Sequence, residues 1–425
     1  MTSESVVPSL SSFSKESKST YLNAVQIGKG REWTVVMGNE AGDLDSISSA
    51  IAYAWYAFKV NGISAVSLTQ TPRADLHLRA ENLHAFELVH LNPDTDILCI
   101  DDVPVSPSQP FPSSQFALVD HNRLHPRFSR DNPDARVVAV IDHHEDEGLY
   151  KDTADPRVIV VPTGSCSSLV ARLFEEHPEH MTPELATLLL CSILIDTGGL
   201  RPGGKAEEAD RRAASFLIPF ASALSEHERT AELVRSAPEE IPSLQKLHVA
   251  LQEKKASVAH LNTLDLLRRD YKEYSLTLAH VPSREILVGL SSVPIGFKAW
   301  LPRDPEFWAQ TEQFMVERGL TVLGILTSFR DTEKLGRSGK GKHRREQMYV
   351  VRDDEDLARL LFNALDECEE LQLKKKTFPD FGVHKGFRSG FRARVWKQKN
   401  VDATRKTTAP IVKAIIEGRR SASNL

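Results

Sequence analysis

Short apolar runs of strand length recur along the first half of the chain. They fall at Thr34–Met37, Ile63–Leu68, Ile97–Ile100, Phe116–Val119, Val137–Ile141 and Val158–Val161. Stretches with helical spacing lie between several of them, at Ser46–Val60, Leu83–Leu91 and Ser165–Glu176. Runs of this kind, alternating with helices, predict a parallel sheet covered on both faces. A further stretch, Pro183–Ile195, is apolar almost all round, which predicts a buried helix.

The texture then changes. Residues 215–260 read as helices broken by Pro219, Pro238 and Pro242. Strand-like runs return at Ser275–Ala279, Ile286–Ser291 and Leu320–Thr327, followed by a helical stretch at Asp354–Leu371. The expected fold class is α/β, with an N-terminal parallel-sheet domain over 31–225 and a helical linker over 226–257. A smaller α/β domain is expected over 258–425. Residues 1–30 are expected to be a flexible arm leading into a first helix. That arm opens Ser-rich and polar, with Glu4 and Glu16 and no apolar core, so neither a secretory nor a mitochondrial leader is expected.

Composition adds exclusions. Hydrophobic residues at 41% and charged residues at 26% are ordinary globular values, which excludes wholesale disorder. No stretch offers the about 18 consecutive apolar residues of a membrane span. Cys99, Cys166, Cys191 and Cys368 show no CxxC spacing and read as reduced thiols of a cytoplasmic protein. The charge is uneven. From Leu371 onward 14 Lys/Arg stand against 3 Asp/Glu, whereas the whole chain carries −5. A second basic run covers Lys334–Arg345. Basic segments on an acidic chain suit a polyanion, and equally a solvated or nucleolar-targeting tail.

Candidate chemistry sits where strands end. Thr34–Met37 runs into Gly38-Asn39-Glu40-Ala41-Gly42-Asp43-Leu44-Asp45; Phe116–Val119 runs into Asp120-His121-Asn122; Val137–Ile141 runs into Asp142-His143-His144. Ligands of open parallel sheets bind at the carboxyl ends of strands. Asp196 closes the apolar helix, where the helix dipole favours a cation and not a carboxylate. Carboxylates with imidazoles and no thiolate suit Mg²⁺ or Mn²⁺ over structural zinc. Two such ions would turn water into a nucleophile for attack on phosphorus. Each acid also has a plainer reading: Asp43 and Asp45 as helix caps, Asp120 as a loop carboxylate, Asp101 and Asp102 as competing strand-end acids.

Taken together, GNEAGDLDS, LVDHN, VIDHH and LIDTGG resemble the four motifs of the DHH phosphoesterase superfamily. In the second half, LLRRDYKEY, ILVGLSSVP and ATRKTTAP resemble the DHH-associated domain of its pyrophosphatase and exopolyphosphatase branch. The nearest likeness is to the fungal exopolyphosphatases, by the Asn in GNE, the GSCSSLV segment and the length. The resemblance covers roughly residues 33–415 and implies an active site in a cleft between the two domains.

It also implies roles. Asp43, Asp120 and Asp196 would hold one divalent ion, and Asp45, Asp120, His143 and Asp196 a second. Asn39, counted among the candidate metal residues, would stand where pyrophosphatases have a metal-binding His, favouring Mg²⁺. His144 would meet substrate phosphate, with Asp142 orienting its neighbours. Lys272, Arg405 and Lys406 would grip phosphates, though a surface lysine and a solvated tail are the plain alternatives. Arg337, Lys340 and Lys342 form a glycine-rich basic loop without P-loop spacing, either an anion-binding loop or a surface patch. His384 could extend the basic surface.

The expected function is an exopolyphosphatase with two Mg²⁺ or Mn²⁺ ions, cleaving terminal phosphoanhydride bonds of inorganic polyphosphate. A monomer with no membrane partner is expected. The alternatives are a pyrophosphatase or short-nucleotide phosphatase on the same scaffold, a DHH-type nuclease, and an inactive binding scaffold. Aromatic residues Phe378, Phe381, Phe387, Phe391 and Trp396 among the basic ones keep nucleic acid open, although it is disfavoured.

Overall fold

A computed structural model describes residues 9–105, 109–230, 232, 237–279, 281–331, 341–381 and 386–418. The chain divides into two compact units, Met1–Ser257 and Val258–Leu425.

The first unit is built on six strands: β1 (Thr34–Met37), β2 (Ala65–Thr69), β3 (Leu98–Cys99), β4 (Gln115–Val119), β5 (Arg136–Asp142) and β6 (Arg157–Ile159). All pair in parallel, in the order β3-β2-β1-β4-β5-β6. Every residue of β1 is buried, because both sheet faces are covered. Val36, Ala117, Val119 and Ile141 join one core; Val35, Met37, Phe116 and Leu118 join the other. The strand order reverses direction between β1 and β4, the switch point where open α/β sheets leave a crevice for ligands.

Seven helices of this unit matter here: α1 (Leu10–Gln26), α2 (Leu44–Lys59), α3 (Ala80–Leu88), α4 (Cys166–Leu173), α5 (Pro183–Thr197), α6 (Glu208–Leu217) and α7 (Pro242–Ala256). Helix α5 is buried along nearly its whole length, as its composition predicts. Thr182 caps it, the hydroxyl accepting from the Leu185 N–H at 3.2 Å. Thr182→Ala should therefore lower stability by about 1 kcal/mol, read as a reduced midpoint in urea unfolding; an unchanged midpoint would deny the cap any role.

Two expectations change. The N-terminal arm is a helix from Leu10 whose Leu10, Phe13 and Tyr21 are buried. The linker region contains α7, whose Leu244 and Leu251 join the core of the first unit. Its Gln245, His248 and Gln252 reach the Gly199, Leu194 and Ile195 carbonyls at 2.9, 3.0 and 3.0 Å. These contacts tie α7 to the C-terminal end of α5, where the Leu194 carbonyl also accepts from the Gly198 and Gly199 N–H groups. Pro242 starts this helix instead of breaking it, since its ring suits the first turn.

The competing acids are structural. Asp102 takes the Arg73 guanidinium and lies 3.3 Å from Lys18 Nζ, while Asp101 accepts from the Arg73 N–H at 2.9 Å.

The second unit carries a mixed sheet of β7 (Tyr271–Leu278), β8 (Val281–Val293), β9 (Val322–Asp331), β10 (Lys342–Arg352), β11 (Leu373–Lys376) and β12 (Phe391–Gln398). The order is β11-β12-β10-β9-β8-β7, with only β8 and β9 parallel. Helices α8 (Glu355–Asp366) and α9 (Arg405–Ile416) share a core with Tyr349, Val351 and Trp396. Among the described residues the basic C-terminal stretch is thus largely strand and helix. Among its cations Arg388 pairs with Glu312, Arg392 with Glu355, Arg394 with Asp366 and Arg405 with Asp270. All four cysteines are free thiols. Among the described residues no helix is long and apolar enough to cross a membrane.

Candidate active site

The loops after β1, β4 and β5 deliver the site. Gly38 follows β1 and lies against the first turn of α2; a Cβ there would fall 2.4 Å from Ser46 Cβ and 2.7 Å from Ser46 Cα. Only glycine lets the strand end lie this close to the helix. The return of the loop makes Asp43 the N-cap of α2, its Oδ1 accepting from the Ser46 N–H at 3.1 Å. Asp45 then falls inside the first turn, buried at 2% exposure.

Asp120 ends β4 with φ at 61°, a left-handed conformation that Asp tolerates better than most residues. It is 3% exposed. Its Oδ2 accepts from Ser46 Oγ at 2.5 Å and from Asn39 Nδ2 at 2.8 Å. Its Oδ1 faces His143 Nε2 at 3.2 Å. Asn39 is therefore spent on holding Asp120: Nδ2 donates to it, and Oδ1 accepts from the Ala41 N–H at 2.9 Å. This geometry departs from the metal-ligand role expected of Asn39.

Asp142 ends β5, fully buried. Its Oδ1 accepts from the His143 and His144 N–H groups at 2.8 and 3.2 Å and meets His144 Nδ1 at 2.8 Å, while Asn122 Nδ2 donates to Oδ2 at 2.6 Å. Burial works against the Asp142 carboxylate, but these donors outweigh it and hold the acid below its ordinary range. The hydrogen bond with Asp142 raises His144, whose ring is half-exposed.

His143 Nδ1 sits 3.0 Å from the Thr163 carbonyl, which can only accept, so Nδ1 carries the proton. Nε2 is left facing Asp120 Oδ1 and, at 3.8 Å, Asp45 Oδ2. A lone pair aimed at two carboxylates is repulsive, so a proton or a cation must occupy that position. Burial disfavours the imidazolium, but the Asp120 hydrogen bond and the charges of Asp45 and Asp120 overcome it and push the ring up to about 10. Burial, together with Asp45 and Asp43, pushes the Asp120 carboxyl up to about 7. Asp196, at the end of α5, is raised well above the carboxylate range by burial and by Asp45, Asp43 and Asp120, with Lys255 Nζ at 3.9 Å opposing. Four acids crowd one place and repel one another, an arrangement that a multivalent cation relieves.

Asp120, His143 and His144 bring ligand atoms within 4.8 Å of one another, a group that could hold a metal ion. Asp43 and Asp45 raise Asp120 and Asp196, and none of Asp43, Asp45 and Asp196 belongs to that tightest group. Sequence reasoning missed the residues that hold the acids and His143 in place: Ser46, Asn122 and Lys255 at the acids and Thr163 at His143. The polar residues that interrupt the apolar pattern of α2 were the available signal.

In the second unit Lys272 lies exposed on β7 opposite Leu290, and Lys342 exposed on β10 opposite Asp331. Lys406 is exposed in the first turn of α9. Arg405 spends its guanidinium on Asp270, at 2.8 Å from the carbonyl and 2.7 Å from Oδ1. Arg337, Lys340 and His384 lie outside the described residues.

Residues 33–193 match the DHH family, N-terminal domain, and residues 249–415 match the DHHA2 domain. A Schizosaccharomyces pombe protein named "Putative exopolyphosphatase" is 35% identical over 265 residues, covering 60% of this chain and 63% of that one. Bos taurus "Exopolyphosphatase PRUNE1" is 27% identical over 301 residues, covering 70% of this chain and 60% of that one. The chain thus spans somewhat under two thirds of the length of these curated relatives. A crystal structure titled as a Methanococcus jannaschii putative family II inorganic pyrophosphatase aligns with 91% of this chain and 100% of its own, at TM-score 0.51 and 16% identity. That likeness concerns the fold alone.

Proposed function

Because the chain belongs to the DHH phosphoesterases that carry a DHHA2 domain, we propose that it is an exopolyphosphatase. Water attacks the terminal phosphorus of inorganic polyphosphate, the P–O bond to the bridging oxygen breaks, and orthophosphate leaves a chain one phosphate shorter. The observation that carries the chemical part is the His143 nitrogen facing Asp120 and Asp45 in a buried acidic cluster. The choice of polyphosphate rests on the names of the relatives and on exposed lysines in the second unit.

In this reading Asp43, Asp120 and Asp196 hold one divalent ion, and Asp45, Asp120, His143 and Asp196 a second, Mg²⁺ or Mn²⁺. Bound there, such ions lower the pKa of water and neutralise phosphate charge. Asn39 and Ser46 fix the Asp120 carboxylate through the hydrogen bonds described above. His144, oriented by Asp142, presents Nε2 to a phosphate oxygen of the substrate. Lys272, Lys342 and Lys406 act as mobile point charges toward phosphate. Arg405 acts only where the phosphate competes with Asp270 for its guanidinium fork.

Part of the aromatic set that kept a nuclease open is packed away among the described residues. Trp308 meets Phe378 and Phe387 edge-on, at 4.9 and 4.8 Å between ring centres, and Trp396 is fully buried. Trp396, and Phe391 at 7% exposure, therefore offer no open face to a base.

The test is orthophosphate release from pyrophosphate, triphosphate and long polyphosphate, with Mg²⁺, with Mn²⁺ and with chelator. Release from triphosphate and longer chains, abolished by chelator, is expected. Activity confined to pyrophosphate would reject the substrate assignment, and chelator-resistant activity would reject the metal.

A further inference from the structure

Below Asp45 lies a set of buried serines for which the proposed reaction has no use. Asp45 Oδ1 accepts three hydrogen bonds: from Ser165 Oγ at 2.8 Å, from the Ser167 N–H at 2.8 Å and from Ser192 Oγ at 2.9 Å. Asp45 Oδ2 accepts from the Cys166 N–H at 2.7 Å, and it is this oxygen that lies 3.8 Å from His143 Nε2. Ser165, Ser167 and Ser192 are fully buried. The hydroxyl of Ser192 is committed to Asp45, so its oxygen accepts from Ser167 Oγ at 2.9 Å. Ser167 Oγ is in turn 3.0 Å from Ser49 Oγ, and with its own proton committed it must accept there. A one-way line of hydroxyls therefore runs from α2 through α4 and α5 to a single carboxylate oxygen. Asp210, itself fully buried, clamps the other side of the same turn, accepting from the Gly164 N–H at 2.8 Å and from Ser168 Oγ at 2.6 Å.

Carboxylate arithmetic follows. An ionised carboxylate offers about four lone-pair positions, two on each oxygen. Oδ1 is over-subscribed with three donors; Oδ2 has one donor and one direction open, toward His143. We propose that Ser165 and Ser192 are positioning residues that saturate one oxygen of Asp45 and so restrict it to binding a divalent ion through Oδ2 alone. This rests on the reading of Asp45 as a metal ligand. The consequence is selectivity. Ca²⁺ accepts two-oxygen chelation by a carboxylate in its larger, looser shell, whereas Mg²⁺ requires near-octahedral single-oxygen contacts. Holding Oδ1 out of reach disfavours Ca²⁺.

A packing role makes a different prediction, because serine and alanine are close in size and three helices meeting closely need small residues whatever their polarity. The experiment is calorimetric titration of the full chain with Mn²⁺, Mg²⁺ and Ca²⁺, comparing wild type with Ser165→Ala, Ser192→Ala and the double variant. Thermal melting in chelator confirms that each is folded, and the single variants carry the test should the double variant unfold. Mn²⁺ affinity is expected to fall about 10–100-fold, the usual cost of losing an outer partner of a ligand, and the Ca²⁺ to Mg²⁺ affinity ratio to rise. Unchanged affinities, or an equal fall for all three ions, would overturn the positioning role. Wild type that binds none of the three ions would instead refute the metal reading itself.

Discussion

Asp120→Asn should reduce orthophosphate release by at least about 100-fold, beyond what the loss of an outer partner costs, while leaving the protein folded. Asparagine matches aspartate in shape, tolerates the left-handed backbone at φ 61°, and its amide oxygen can still accept from Ser46 Oγ. What it lacks is the charge. In the ion-free protein burial and the neighbouring Asp45 and Asp43 raise the Asp120 carboxyl to about 7, a cost that outweighs its favourable hydrogen bond with His143. Removing the charge should leave the melting temperature in chelator unchanged or raised, the usual direction when a repelled group at a working site is neutralised. The paired measurement is a phosphate assay with excess Mn²⁺ and a thermal melt in chelator. Activity within a few-fold of wild type would sink the role of Asp120 in binding metal. A large activity loss accompanied by unfolding would mean that the acid holds structure and not an ion.

Gly38→Ala is expected to damage both the fold and the site. The added carbon would meet Ser46 Cβ at 2.4 Å and the Ser46 carbonyl oxygen at 2.7 Å. These atoms belong to the first turn of α2 and cannot swing aside, so strand end and helix must separate. Overpacking of this kind costs about 1–3 kcal/mol. The displacement also pulls on two hydrogen bonds, Asn39 N–H to Ser46 Oγ at 3.2 Å and Ser46 Oγ to Asp120 at 2.5 Å. A misplacement of about 1 Å at a reacting centre costs about 100-fold in rate, and a fall of that order in kcat is expected. Gly62→Ala provides the contrast: its φ of 66° makes the variant cost some stability, but its Cβ would meet nothing within 4 Å and lies away from the acids. That variant should keep its kcat. Equal kcat in both variants would show that the contact between strand end and helix is not what places the acids.

The parallel sheet was legible because strands covered on both faces are apolar at every position, as Thr34–Met37 nearly is. The acids were legible for a related reason: Asp120, Asp142 and His143 stand directly after such runs, where packing has no need of charge. The rest was hidden by residues with two uses. Strand β10 begins Lys-His-Arg-Arg and β12 reads Phe-Arg-Ala-Arg-Val-Trp-Lys-Gln. Their cations reach solvent or acidic partners while Val395 and Trp396 enter the core, so charge concealed the strands. Pro242 read as a break and is a start. Asn39 matched a ligand position by alignment of motifs, yet its amide nitrogen points at Asp120. Ser165 entered only as part of the GSCSSLV likeness, with no role attached, and Ser192 gave no signal, because a serine among leucines looks the same whether it fills a gap or holds a carboxylate.

The backbone at Asp120 narrows what evolution can write there. The bend after β4 tolerates glycine, asparagine and aspartate, and of these three only aspartate brings an anion. Glutamate would bring the anion on a longer arm and resist the bend. Position 120 therefore answers to geometry and to electrostatics at once, and a lineage that abandoned hydrolysis would be free to drift there first toward asparagine or glycine, keeping its shape after losing its chemistry.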